Sequence, residues 1–151
     1  MEAGSLRGVV YKFCDYQERC HMEVRRRLFE LGLREAESEE MIAELIADDR
    51  LNEERYSMAI ASGKFRIKYW GKRKIRHYLK QHQVSDYCIE KALGSIDPDE
   101  YYRVLQRLAQ RKLQELHKES PAVRKNKTVR YLLQKGYETD LITVIMAEFG
   151  L

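Results

Sequence analysis

Apolar residues along this chain recur with the 3.6-residue period of an amphipathic α-helix. In the segment 72–82, Ile75, Tyr78, Leu79 and His82 fall on one helical face. Comparable stripes occur at Val24, Leu28 and Leu31; at Ile42, Leu45 and Ile46; at Tyr56, Ala59 and Ile60; at Ile89, Ala92 and Leu93; at Leu105 and Leu108; and at Ile142, Ile145 and Met146. No stretch alternates with period two for long enough to predict a strand. The pattern therefore predicts an all-α protein.

Capping residues give the expected bounds of these helices. The signals predict helices over Tyr11–Arg19 and Met22–Leu31, the latter ended by Gly32, and further helices begin after caps at Ser38, Asn52, Ser85 and Asp97-Pro98. The helix after Asp97 is expected to run to Leu116, and Ser120-Pro121 is expected to open the next segment. Residues Lys127–Lys135 are expected to form a helix that ends at Gly136, and Thr139 is expected to cap the last helix.

Three segments align without a gap and indicate an internal repeat. They are EVRRRLFELGL (Glu23–Leu33), KIRHYLKQHQV (Lys74–Val84) and KTVRYLLQKGY (Lys127–Tyr137). Each is followed by a second helix, and the first two by a third, which gives a period of about fifty residues. The expected repeats are about 10–63, 64–119 and 120–151, the last with two helices. Because one such unit cannot enclose a large core, we expect the repeats to stack into an elongated, curved array.

Charge is distributed unevenly along the 151 residues, whose net charge is +4. Residues 35–54 hold nine carboxylates and only one cation, Arg50. The sign then reverses, because no residue between Glu54 and Asp86 is acidic and the segment Lys64–Val84 carries eight lysines and arginines. A strongly acidic segment thus leads directly into a strongly basic one.

The basic segment has two interpretations. Arg73, Arg76 and Lys80 form a basic stripe on the face opposite the apolar one. An ordinary basic stripe is simply a solvated surface. This one, however, is balanced by no acidic residue and follows two aromatic residues, Tyr69 and Trp70, and this combination is typical of a surface that binds a polyanion. The two aromatic rings either stack on a base or partner ring or pack between repeats. The acidic segment 35–54 either contacts a basic partner surface or neutralises the basic strip.

A second acid-free run lies between Glu119 and Glu138, and we expect it to share an electropositive strip with the first. The candidate binding residues are Lys64, Arg66, Lys68, Tyr69, Trp70, Lys72, Arg73, Arg76, Lys80, Arg124, Lys125, Lys127 and Arg130.

Several other classes of function find no support in the residues. No phosphate-binding loop, nucleophile–base cluster or carboxylate pair occurs, so neither an enzyme nor a cofactor is predicted. Cys14, Cys20 and Cys88 form no disulfide framework and, with the four scattered histidines, no zinc pattern. No signal peptide or membrane span is evident, so we expect a cytoplasmic protein.

Taken in order, the repeats resemble the RecX family of bacterial recombination regulators. The family's DER(F/Y)A-like element appears as Asn52-Glu53-Glu54-Arg55-Tyr56, followed by Ser57 where many members have alanine. The G-x-x-x-I-x-x-x-L element appears as Gly71, Ile75 and Leu79, and Gln83 replaces the usual glycine after it. The resemblance covers nearly the whole chain, from about Val10 to Phe149, as a single RecX-like domain.

The resemblance implies a non-enzymatic, monomeric regulator of DNA repair, homologous recombination and the SOS response. Members bind RecA recombinase and its filament on single-stranded DNA, inhibit ATPase activity and strand exchange, and can contact DNA directly. The candidate binding residues would then contact RecA or DNA. Without the resemblance, a helical nucleic-acid-binding protein with no specific protein partner remains an equal alternative.

Overall fold

A computed structural model describes residues 3–151, and side chains from Leu6 onward. This part of the chain contains nine α-helices and no strand: α1 Ala3–Tyr16, α2 His21–Glu30, α3 Glu35–Ala47, α4 Glu53–Lys68, α5 Lys72–Gln81, α6 Asp86–Gly94, α7 Pro98–Glu115, α8 Pro121–Lys135 and α9 Thr139–Glu148. The predicted all-α class is confirmed.

The helices form two compact units, each built from two stretches of chain. The first comprises Met1–Ile60 with Leu79–Ala92, and the second Ala61–Tyr78 with Leu93–Leu151. In the first unit, α2 packs against α1 and α3 around a buried cluster of Val10, Cys14, Val24, Leu28, Ile42, Leu45 and Leu51. In the second unit, α7, α8 and α9 all pack against one another.

An aromatic column stands in the core of the second unit. The ring centroids of Phe65 and Tyr101 lie 5.6 Å apart, and those of Tyr101 and Tyr137 lie 5.2 Å apart. All three residues are buried. Tilted aromatic pairs at this spacing add stabilisation beyond the area they bury, so the column fixes the end of α4 against α7.

The repeat predicted from sequence corresponds to a repeated helix end. Leu28, Leu79 and Leu132 are each fully buried, and each carbonyl accepts a 3.1 Å hydrogen bond from the amide five residues later, at Leu33, Val84 and Tyr137. The intervening residues, Gly32, Gln83 and Gly136, all have left-handed backbones, with φ of 89°, 59° and 100°. Gln83 therefore adopts the conformation of the glycine it replaces, and the helix end is a Schellman motif in all three copies.

Most predicted caps are confirmed, and their side chains make the expected bonds. Asn52 Oδ1 accepts the Arg55 amide at 2.9 Å, and Ser85 Oγ accepts the Cys88 amide at 3.3 Å. Asp97 accepts the Glu100 amide at 3.1 Å, immediately before the proline that opens α7.

Other predicted helix starts are wrong. Ser38 is buried inside α3, which begins at Glu35 because the Glu37 carboxylate accepts the Arg34 amide. Thr139 is the first residue of α9 and not its cap, which is Glu138. α1 begins upstream of the predicted Tyr11 and ends at Tyr16. α8 begins at Pro121 and not at Lys127, because Ser120 Oγ accepts the Val123 amide and the proline occupies the first turn.

Candidate functional site

The turn from Tyr69 to Gly71 is the centre of the candidate site. α4 ends where Tyr69 adopts a left-handed backbone, with φ of 59°. The Tyr69 amide donates to Phe65 O at 3.0 Å and the Trp70 amide to Lys64 O at 3.1 Å. A tyrosine in this conformation costs roughly 1 kcal/mol or more. The Tyr137 hydroxyl donates to Tyr69 O at 2.8 Å and so holds the strained turn in place.

Two glycines allow the turn to contact the end of α8 directly. A Cβ at Gly71 would lie 2.3 Å from Gly136 C and 2.5 Å from Tyr137 N. The Gly71 amide donates to Lys135 O at 2.7 Å, and the Arg73 amide donates to Gly136 O at 2.9 Å. Backbones approach this closely only where no side chain intervenes, which explains the glycine that opens the G-x-x-x-I-x-x-x-L element.

Trp70 lies within a group of lysine side chains. The Nζ atoms of Lys74, Lys64 and Lys68 lie 4.5, 4.8 and 5.7 Å from the centroid of its ring. Tyr78 meets the ring edge-on, with centroids 6.0 Å apart. Cation–π attraction favours ammonium groups at these distances. The half-buried indole ring therefore holds three ammonium groups that would otherwise repel one another.

Lys135 is the fourth member of what we call the lysine cluster, with Lys64, Lys68 and Lys74. Its Nζ donates to Lys68 O at 2.8 Å, at the end of α4. Burial lowers the pKa of Lys64, and neighbouring Lys68 lowers it further. Burial likewise lowers the pKa of Lys135, with a smaller contribution from Lys74. Within the described residues no carboxylate forms an ion pair with any member, so the cluster is an uncompensated cationic site.

The structure pairs several other candidate residues with acids, one of them remote in sequence. Arg66 lies 3.6 Å from Glu100, and Lys127 lies 3.4 Å from Glu119. Lys80 lies 4.0 Å from Asp86. These exposed pairs are each worth little energetically, but they reduce the local positive charge. The basic segments are therefore free of acids in sequence, while the fold brings carboxylates next to some of their residues.

The remaining candidate residues lie on α5 and α8. Arg73 is exposed and Arg76 half-buried on α5, while Ile75 on the opposite face is fully buried. On α8, Lys125 and Arg130 are exposed, whereas the Arg124 guanidinium donates to Leu113 O at 3.0 Å. Lys72 Nζ lies 5.0 Å from the Tyr101 ring centroid. Arg124 thus has a structural contact at the end of α7.

The acidic segment pairs within its own unit. Glu39 binds Arg25 at 2.7 Å, Glu54 binds Lys91 at 2.6 Å, and Glu44 pairs with Arg7. The ion pairs of the acidic segment therefore involve cations of the first unit. Among the described residues, no ion pair joins this segment to the lysine cluster.

Sequence reasoning missed Lys74 as a neighbour of Trp70 and Lys135 as a neighbour of Lys68. Lys135 is distant in sequence from Lys68, and the close contact between the two glycines joins the segments that carry them. Among the described residues, no group of histidine, cysteine and acidic side chains could hold a metal ion, and no helix has the length and apolarity needed to cross a membrane.

Tandem helical units carrying an uncompensated cationic site define the class of this protein: a helical-repeat protein with a cationic surface cluster. Comparison with known proteins is more specific. A model of the second three-helix domain of RecX matches residues 52–93, which contain α4, α5 and all but the last residue of α6. A model of the third three-helix domain matches residues 99–146, within α7–α9. The chain belongs to the RecX family.

Named relatives and solved structures agree with this assignment. A regulatory protein RecX from Clostridium botulinum is 40% identical over 87 residues, which are 56% of this chain and 41% of that protein. One from Leuconostoc mesenteroides is 25% identical over 139 residues, covering 92% of this chain and 52% of that protein. The alignments thus span about half the length of these relatives.

The crystal structure of RecX from Lactobacillus salivarius superposes with a TM-score of 0.87 at 25% identity, covering 94% of this chain and 92% of that one. A second crystal structure of a regulatory protein RecX gives a TM-score of 0.82 at 19% identity, covering 92% of this chain and 70% of that one, a likeness of fold alone. The predicted helical repeat array is confirmed.

Proposed function

We propose that this chain is a non-enzymatic regulatory protein that binds RecA recombinase and its filament on single-stranded DNA, and inhibits ATPase activity and strand exchange. The observation that carries the proposal is the lysine cluster around Trp70, which no carboxylate neutralises within the described residues. Membership of the RecX family supports it, because the relatives are named as regulatory proteins. The proposed location is the cytoplasm.

The lysine cluster is suited to the phosphates of a nucleic acid. An ammonium group offers three donors and acts as a compact point charge. Lys64, Lys68 and Lys74 approach a single ring, so their charges are concentrated before any ligand arrives. A phosphate backbone would relieve their mutual repulsion, and releasing its counterions would supply much of the binding free energy. In this arrangement Trp70 orients lysines and need not stack on a base.

The lysine cluster would equally suit a helical nucleic-acid-binding protein with no specific protein partner. The two functions differ in the molecule that this protein binds when it inhibits RecA. A filament-binding regulator acts on RecA itself, whereas a DNA-binding protein only competes for the strand. The discriminating assay measures ATP turnover by RecA on single-stranded DNA while this protein is titrated, with a parallel series containing excess DNA.

We expect inhibition at protein concentrations well below those that coat the DNA, and we expect it to persist when DNA is added. Relief of inhibition in proportion to added DNA would instead favour the simple DNA-binding protein. RecA that turns over ATP at an unchanged rate throughout would refute the proposed function.

A charge-matched pair of variants tests the lysine cluster directly. Lys68→Glu with Lys74→Glu removes two members, while Lys12→Glu with Lys118→Glu makes the same change of net charge at exposed positions elsewhere. For oligothymidylate binding, we expect only the first pair to flatten the log–log salt dependence, by about 0.7 for each lost phosphate contact. Equal slopes for the two variants would show that the lysine cluster is merely solvated.

A further inference from the structure

A second cationic site is a pocket that is lined by Tyr69, the residue next to Trp70. Its volume is about 470 Å³, and it is lined by Arg66 and Tyr69 from the end of α4 and by Glu100, Arg103 and Arg107 from α7. We call it the arginine pocket. Trp70 contacts the lysine cluster, whereas Tyr69 lines the arginine pocket, so two adjacent residues contribute to two different cationic sites.

The arginines of this pocket are available to a ligand. Arg103 and Arg107 lie one helical turn apart and therefore project from the same face of α7. Both are exposed, and neither forms an ion pair within the described part of the chain. Arg66 lies 3.6 Å from Glu100, a distance that leaves room for a closer partner. Three arginines and one glutamate leave the pocket with two uncompensated positive charges.

We propose that the arginine pocket binds acidic side chains of a protein partner, with glutamate or aspartate carboxylates paired to Arg103 and Arg107. A guanidinium group presents a planar fork of donors that matches the two oxygens of a carboxylate. The chain's own Glu100 already places a carboxylate beside Arg66.

The walls of the pocket favour a peptide side chain over a nucleic-acid backbone. The lining is mainly polar, and Phe65 and Val104, which are both buried, contribute a smaller apolar part. The aliphatic stem of a glutamate can lie against this apolar part while its carboxylate reaches a guanidinium group. A phosphodiester is flanked by polar sugars and gains nothing from that contact. The arginine pocket contains the carboxylate of Glu100, which would repel a phosphate, whereas the lysine cluster contains no carboxylate and is the better site for a phosphate.

This inference deepens the proposed function by giving the protein partner a site of its own, and it rests on that function only for the partner's identity. The arrangement predicts that acidic protein segments and phosphates bind to separate sets of residues. Their binding should therefore be separable by mutation.

The test uses the full chain and a fluorescein-labelled peptide in which two glutamates are separated by leucine, followed by fluorescence anisotropy. Its control is the same peptide with glutamines. Arg107→Glu reverses a charge in the arginine pocket, and Arg111→Glu makes the same change one turn further along α7, outside the lining. We expect the first substitution to weaken peptide binding about 10-fold or more, since charge-assisted bonds are lost. The second should weaken it less than 3-fold.

Arg107→Lys adds a finer comparison, because it keeps the charge and removes the fork. We expect the affinity of Arg107→Lys for the peptide to lie between the affinities of the wild type and of Arg107→Glu. Circular dichroism and thermal melting confirm that each variant is folded.

Equal weakening by Arg107→Glu and Arg111→Glu would overturn the inference, as would equal binding of the glutamine peptide. If oligothymidylate displaces the peptide and itself loses affinity through Arg107→Glu, the arginine pocket is a phosphate site and the proposal fails. The proposed function is judged separately, by RecA turnover and by the variants of Lys68 and Lys74.

Discussion

Replacing Gly71 by alanine perturbs the contact that assembles the lysine cluster. The new Cβ would lie 2.3 Å from Gly136 C, whereas ordinary contacts begin near 3.4 Å, so the backbones must separate by about 1.1 Å. The atoms in the way are backbone atoms, which cannot rotate aside as a flexible side chain can. Separation would also stretch the hydrogen bonds from the Gly71 and Arg73 amides.

The expected cost follows from these two effects. Overpacking typically costs about 1–3 kcal/mol, and two weakened hydrogen bonds add about 1–3 kcal/mol. We therefore expect Gly71→Ala to lower the free energy of unfolding by about 2–6 kcal/mol. This is a large part of the roughly 5–15 kcal/mol that a domain possesses.

Urea denaturation followed by circular dichroism measures the change, and Trp70 fluorescence reports it locally. The matched control is Gly63→Ala, where a Cβ meets nothing within 4 Å inside α4. There alanine should stabilise the protein by about 0.5–1 kcal/mol, because it restricts the unfolded chain. If the two variants unfold at the same urea concentration, the contact between the glycines is not close, and the geometry of the lysine cluster is wrong.

Three further predictions concern single side chains. Burial and a hydrogen bond to Glu138 raise the pKa of Tyr101, so its stabilisation should be complete below about pH 10 and decline above it as the unfolded tyrosine ionises. Tyr101→Phe should cost about 1–3 kcal/mol at neutral pH and show a shallower alkaline decline in urea titrations; an unchanged decline would contradict this. Gln83→Gly should raise the free energy of unfolding by up to about 1 kcal/mol by removing left-handed strain, and a loss of stability would refute that explanation. Burial raises the pKa of Cys14 and Cys20 to about 11, so both thiols should react with Ellman's reagent at pH 8 only on unfolding; rapid labelling of the folded protein would argue against their burial.

Local sequence signals predicted the features that depend on a few neighbouring residues. Asn52 and Asp97 cap their helices because a side chain needs to reach only the next turn. The same reasoning failed at Ser38, because cap preference is shared by many serines, and Glu37 provided the alternative start. Gln83 stands where the family usually has glycine, and its backbone nevertheless keeps the left-handed conformation of glycine.

The candidate site was predictable only in part, because its key contacts join distant segments. The basic character of Lys64–Val84 was plain from composition. The approach of Lys135 to Lys68, and of Glu100 to Arg66, depends on tertiary packing that no local pattern encodes. Gly71 and Gly136 were the available signal, since glycines at two helix boundaries can mark a close backbone contact.

The division of the chain between its two units has a consequence for biosynthesis. The first unit needs Leu79–Ala92, so it cannot be completed until the ribosome has released residue 92. By then Ala61–Tyr78 has already been made, but its partners lie in Leu93–Leu151 and have not all left the ribosome. During that interval the basic segment and its tryptophan lack the rest of the second unit. A stall in translation that leaves only the chain up to residue 92 outside the ribosome should therefore allow the first unit to fold, while the lysine cluster, which includes Lys135, stays incomplete.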